Sequence, residues 1–172
     1  MWRTITEEAS AESSLWEQSL RPEEERELLP IFSPLGSPRF ALGLETIYEG
    51  YLVHYGLPRL FAAPDDDTAL LLGDYLYAHG LLRIASAGDV VAVADLSELI
   101  SLCGQLRAED AEGDGPLWAA TAALLGDGSS LDGPRAALRL RGDPGPLEAA
   151  ARAAVGDEPV ERSIAAHALR LR

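Results

Sequence analysis

From Phe40 to Leu106 apolar side chains return every three or four residues in three successive runs, a spacing that only a helix turns to one side. Phe40, Leu44, Ile47, Tyr48, Tyr51, Leu52 and Tyr55 make one broad stripe, the expected core face of its helix. Val93, Leu96, Ile100, Cys103 and Leu106 make another, with Asp95, Glu98, Ser101 and Gln105 turned away. Cys103 on that stripe is expected to be a buried, inert thiol. In the middle run Leu70, Leu71, Leu72, Tyr75, Leu76, Tyr77, Leu81, Leu82 and Ile84 surround the axis on nearly every side, which predicts a central, buried helix. Asp74 shares a face there with Leu70, Leu71, Tyr77, Ala78 and Leu81, so it is expected to be a buried polar group in need of a donor.

Helix starts punctuate the rest of the chain, and strand signals do not. Pro22 before Glu23, Glu24 and Glu25, Ser37 before Pro38, Asp65 to Asp67 before an apolar run, Asp89 before Val90, and Pro146 and Pro159 before alanine-rich stretches all open helices. Helices are expected over about 6–20, 22–29, 38–55, 67–86, 90–109, 116–125, 146–155 and 159–171. Gly126 to Ser130 and Gly142 to Pro146 read as turns around a short piece at Arg135 to Arg141, whose arginines Arg135, Arg139 and Arg141 could form an exposed basic edge. The fold class is all-α, a single-domain antiparallel helical bundle. Residues 1–37 are expected as an N-terminal helical extension packed on the core, 38–126 as the central bundle, and 127–172 as short C-terminal helices of the same domain.

Length and charge narrow the function classes. A chain of 172 residues suits one core. Its 28 acidic against 14 basic residues give a formal net charge of −14, which repels phosphate backbones and excludes nucleic acid as the expected partner. No apolar run has the length of a bilayer span, so no membrane insertion is expected. Arg3 followed by Glu7, Glu8 and Glu12 is no export signal, and the single cysteine forms no internal disulfide, so the expected compartment is cytoplasmic. All basic residues are arginine, which excludes lysine Schiff bases and the phosphate-loop lysine.

His54, His79 and His167 fall on three separate helices, which argues for packing or surface roles and against a histidine metal site. No G-x-S-x-G elbow is present. Asp65, Asp66 and Asp67 stand where carboxylates cap a helix. Glu45 and Glu49, four apart and opposite much of the aromatic stripe, are the candidate metal ligands, because a Mg²⁺ ion would relieve their mutual repulsion; the competing expectation is a solvated acidic face.

Glu45 to Pro58 (ETIYEGYLVHYGLP) and Ala69 to Leu81 (ALLLGDYLYAHGL) together resemble two successive segments of the trans-prenyl diphosphate synthases. In that family a helix bearing DDxxD is followed by an R-R-G-x-P turn and then by a buried helix containing G-D-x-L. Gly73, Asp74, Tyr75 and Leu76 match the last element, and Gly56 and Pro58 match the turn. His54 and Tyr55 stand where the family has its arginines, and Glu45 and Glu49 where it has the outer aspartates of DDxxD, with Thr46 in the middle position. The resemblance spans roughly residues 40 to 109 and implies an antiparallel bundle akin to a shortened isoprenoid synthase.

Family catalysis needs two aspartate-rich motifs, Mg²⁺ ions and basic clamps on the diphosphate. Here the first motif is degraded, the turn arginines are replaced, and no second motif follows Gly104. The resemblance therefore implies a non-catalytic regulatory or small subunit with no catalytic residues and no cofactor, paired either with a catalytic prenyl synthase subunit or with itself as a homo-oligomer. Tyr48, Tyr51 and Tyr55 are the candidate interface. The alternatives are a Mg-dependent enzyme acting on an isoprenoid diphosphate through Glu45 and Glu49, and an unrelated helical adaptor.

Overall fold

Side-chain caps at Ser13, Asp65 and Asp89 set where three of the helices begin in the computed structural model, which describes residues 1–171. Among these residues there are nine α-helices and no β-strand, only two isolated bridges. Helix α1 spans Trp2–Glu12 and α2 spans Ser14–Gln18. Ser13 between them is extended, and its Oγ accepts the Leu15 amide at 3.1 Å, so the single helix expected over 6–20 is cut by a cap inside it. The helix expected over 22–29 is reduced to one 3₁₀ turn at Glu23–Glu25. Pro30 holds the residue before it out of the helical region. Beyond the turn, the backbone groups of residues 29–33 bond instead to side chains of the core.

After a 3₁₀ turn at Pro38–Phe40, where Ser37 makes no side-chain cap bond, α3 runs from Ala41 to Tyr55. Asp65 Oδ1 accepts the Thr68 amide at 2.8 Å to start α4 (Asp66–Ser86), and Asp89 Oδ1 accepts the Ala92 amide at 2.9 Å to start α5 (Val90–Ala108). Both capping expectations hold. The remainder is α6 (Asp114–Leu124), α7 (Asp132–Arg141), α8 (Gly145–Val155) and α9 (Asp157–Ala168). The short piece expected at 135–141 is thus a ten-residue helix.

The central helix is α3, with 11 of its 15 residues buried. The expectation that residues 67–86 form the central helix is wrong, since Leu70, Leu71 and Leu82 of α4 are more than half exposed. Glycine explains how α4 seats itself with so few large contacts. Gly43 and Gly50 of α3 face Gly80 and Gly73 of α4, so the two helices run antiparallel at very close approach. A Cβ on Gly50 would lie 2.9 Å from the Gly73 carbonyl oxygen, and one on Gly80 would lie 2.9 Å from the Gly43 carbonyl oxygen. Two backbones touching along two helical turns bury the glycine edge of α4, with Leu72, Leu76 and Ile84 buried beside it and the remaining leucines left outside.

The main core joins α3 to α5, α6, α8 and α9 around Trp118, Tyr48, Tyr51 and Phe32. Ile31, Phe32 and Leu35 of the N-terminal third belong to it, as do Leu131, Leu138, Leu147, Ala151 and Val160 of the C-terminal third. A second, smaller cluster lies on the other side of α3 and α4, where Ile5 and Ala9 of α1 meet Val53, Leu60, Phe61, Leu72 and Leu76. No described helix is long and apolar enough to cross a membrane.

Candidate functional site

Glu45 and Glu49 project from one side of α3, away from Tyr51 and Tyr55 and bordered by Tyr48, but that side is closed. Residues 29–33 and 59–61 wrap it, and both carboxylates are fully buried. Arg59 is buried with them: Nη1 donates to Glu45 Oε2 at 2.6 Å and Nε donates to Glu49 Oε2 at 2.9 Å. The other oxygens accept backbone amides, Glu45 Oε1 from Ile31 at 3.2 Å and Ser33 at 3.0 Å, Glu49 Oε1 from Leu60 at 2.7 Å. Arg59 Nη1 also donates to the Leu29 carbonyl at 3.0 Å, and the guanidinium lies between the rings of Trp2 and Tyr48 at 4.7 and 5.0 Å from their centroids. Burial works against the Arg59 charge, and the two carboxylates more than offset it.

Every carboxylate oxygen of the candidate metal pair is therefore occupied, with the Arg59 guanidinium in the place a cation would take. Among the described residues no group of three or more His, Cys, Asp or Glu side chains is arranged to hold a metal ion. The solvated acidic face is equally wrong. Arg59 escaped the sequence reading; the available signal was an arginine set between Pro58 and the apolar pair Leu60 and Phe61, ten and 14 residues beyond the two glutamates.

The aromatic side of α3 holds a second polar cluster. Tyr51 and Arg107 both donate to Asp114 Oδ2, and Arg107 Nε donates to the Tyr51 hydroxyl at 2.8 Å. His167 Nδ1 stands 2.9 Å from the Tyr48 hydroxyl, and its Nε2 stands 3.4 Å from Asp114 Oδ2. The imidazole thus sits between a phenol hydroxyl on one side and a carboxylate on the other. Burial opposes ionisation of Asp114; contacts with His167, Tyr51 and Arg107 outweigh it and hold the carboxyl far below the usual carboxylate range. Burial pushes the hydroxyls of Tyr48 and Tyr51 well above the usual phenol range. Four helices, α3, α5, α6 and α9, are tied here through Tyr48, Tyr51, Arg107, Asp114 and His167.

Tyr48 and Tyr51 are thus fully buried and cannot form an interface, a correction to the sequence reading; core packing claims them. Tyr55 is half-buried and lines an open cavity of about 390 Å³ with Gly104, Arg107, Ala108 and Asp110. Asp74 is not buried: its side chain is 67% exposed, and Oδ1 lies 3.3 Å from Nε2 of the largely buried His54. The helix face that Asp74 shares with leucines is the one turned to solvent, because α4 packs through its glycine edge. Burial lowers the pKa of His54, with Asp74 partly opposing it. Arg135 is buried against Asp95 and Arg139 pairs with Glu98, so these two arginines with exposed Arg141 do not form a free basic edge. Cys103 and His167 are buried in the core, in keeping with packing roles.

Exposed apolar side chains are scattered over Leu28, Leu29, Leu140 and Leu169, and gather into helical arcs on α4 and α5. Leu71, Ala78, Leu82 and Ala85, with Asp67 and Asp74, occupy one exposed arc of α4 at intervals of three and four residues. On α5, Val90, Ala94, Ser97, Ser101 and Ala108 occupy another, which is uncharged along its length. No family model, curated protein or solved structure matches the chain.

Proposed function

We propose that this chain is a non-catalytic, prenyl-synthase-like helical subunit that pairs with a catalytic partner through the α4–α5 face. The exposed arc of Leu71, Ala78 and Leu82 on α4, with the uncharged exposed arc on α5, carries the proposal, because a monomer gains nothing from helix faces of this composition turned to water. The antiparallel contact of α3 with α4 is the arrangement that the resemblance implies for the segments around Glu45 and Asp74. The closed Glu45–Arg59–Glu49 triad supports the non-catalytic half of the reading, since it leaves neither a carboxylate oxygen for Mg²⁺ nor a cation for diphosphate.

Copurification of the full chain with a complete prenyl diphosphate synthase is the test. Leu71→Glu with Leu82→Glu, both on exposed positions, is expected to abolish pairing and leave the melting temperature within a degree or two, since surface changes of this kind cost roughly 0.5 kcal/mol or less. A chain that stays monomeric at micromolar concentration in the presence of such a synthase rules the proposal out, and so does prenyl transfer by the chain alone with Mg²⁺.

A further inference from the structure

Asp67 and Asp74 stand seven residues apart on the exposed arc of α4, two turns or about 10.5 Å along the axis. Leu71 lies between them, and Ala78 and Leu82 continue the arc. No arginine shares it: Arg83 turns away to Glu8 and Thr46. Asp67 makes no ion pair among the described residues, and Asp74 touches only His54. Burial disfavours the charged form of His54, with Asp74 partly opposing it. Both charges therefore face outward without an arginine partner, inside what is otherwise the apolar seam of a helix-pairing surface.

From this charge pattern we propose that the helix received by the α4–α5 face carries two basic side chains seven residues apart, set into an apolar seam, to pair with Asp67 and Asp74. The inference rests on the binding-subunit reading and adds the chemistry of the partner. Charge complementarity selects against a second copy of this chain, which would bring two more aspartates to the same seam and a further net charge of −14. The small exposed side chains of α5 at Ala94, Ser97 and Ser101 would let a helix approach that face closely.

A photo-crosslinking amino acid at position 78 of the full chain, expressed in its source cells, identifies the helix that sits on the seam. That partner is then produced, and its affinity is measured for the wild type and for Asp67→Asn with Asp74→Asn. The crosslinked helix is expected to carry Arg or Lys at positions i and i+7, and the double variant to bind about tenfold more weakly with an unchanged melting temperature. Glutamates at the partner's two basic positions are expected to lose wild-type binding and to recover it with Asp67→Arg and Asp74→Arg. Equal affinity for wild type and double Asn variant overturns the inference, as does crosslinking only to a second copy, or to nothing. A synthase that binds regardless of these charges removes this inference and leaves the subunit reading standing; a basic helix from a protein that is not a synthase does the opposite.

Discussion

Arg59 spends its charge inside the protein. Two carboxylates and one guanidinium held away from water survive only because every oxygen has a donor, and removal of one partner leaves buried charge uncompensated. Arg59→Met is expected to lower stability by about 3–5 kcal/mol, read from urea unfolding. Adding Glu45→Gln and Glu49→Gln to it is expected to recover part of the loss by removing the stranded charges. Asp114 sets an acid limit. Its pKa in the folded protein lies below that of the unfolded chain, so its contribution is complete above the unfolded value near 4 and disappears as pH falls toward the folded one. The melting temperature is expected to drop below pH 4, and Asp114→Asn, less stable at pH 7, is expected to show a shallower drop over the same range.

Among the helices, α3 and α4 meet through backbone, which makes their glycines sensitive in a way that helix propensity does not foresee. Gly50→Ala places a methyl 2.9 Å from the Gly73 carbonyl oxygen and is expected to cost about 1–3 kcal/mol as overpacking. Gly104→Ala in α5 meets only the Tyr55 hydroxyl, at 3.8 Å, and is expected to be neutral or to stabilise by up to about 1 kcal/mol, the ordinary alanine preference. Thermal melts of the two variants check the contrast. The stripe from Phe40 to Tyr55 was legible because one apolar face declared itself at helical spacing. The role of α4 was misread for a physical reason: apolar residues all around a helix show that it can be buried on any side, whereas glycines two turns apart on each helix decide which side is. Asp74 was misplaced with it.

In the whole molecule the two apolar clusters differ in size and share few residues of the chain's ends. Residues 31–35 and 131–160 feed the larger one, so segments from both ends of the chain share a core with the central bundle. The N-terminal helices rest on the smaller one. Tryptophan reports on both, because Trp118 is central to the main core while Trp2 and Trp16 pack on the second. Fluorescence of Trp118→Phe is expected to show α1 and α2 detaching at lower urea than the transition seen by Trp118 alone in Trp2→Phe with Trp16→Phe. Coincident midpoints would show that both clusters unfold as one unit.

Local physics written into neighbouring residues determined α3 to α6, α8 and α9, the aspartate caps of α4 and α5, the buried thiol of Cys103 and the aromatic face of α3, since periodicity and capping act over one or two turns. Tertiary structure alone decided the fate of the charged groups. Whether Glu45 and Glu49 met a metal, water or Arg59 depended on a loop ten to 14 residues away folding back over them, and Asp114 met His167 only across 53 residues of chain. Such encounters depend on how helices are stacked, and a carboxylate reads the same in sequence whether its partner is solvent or an arginine.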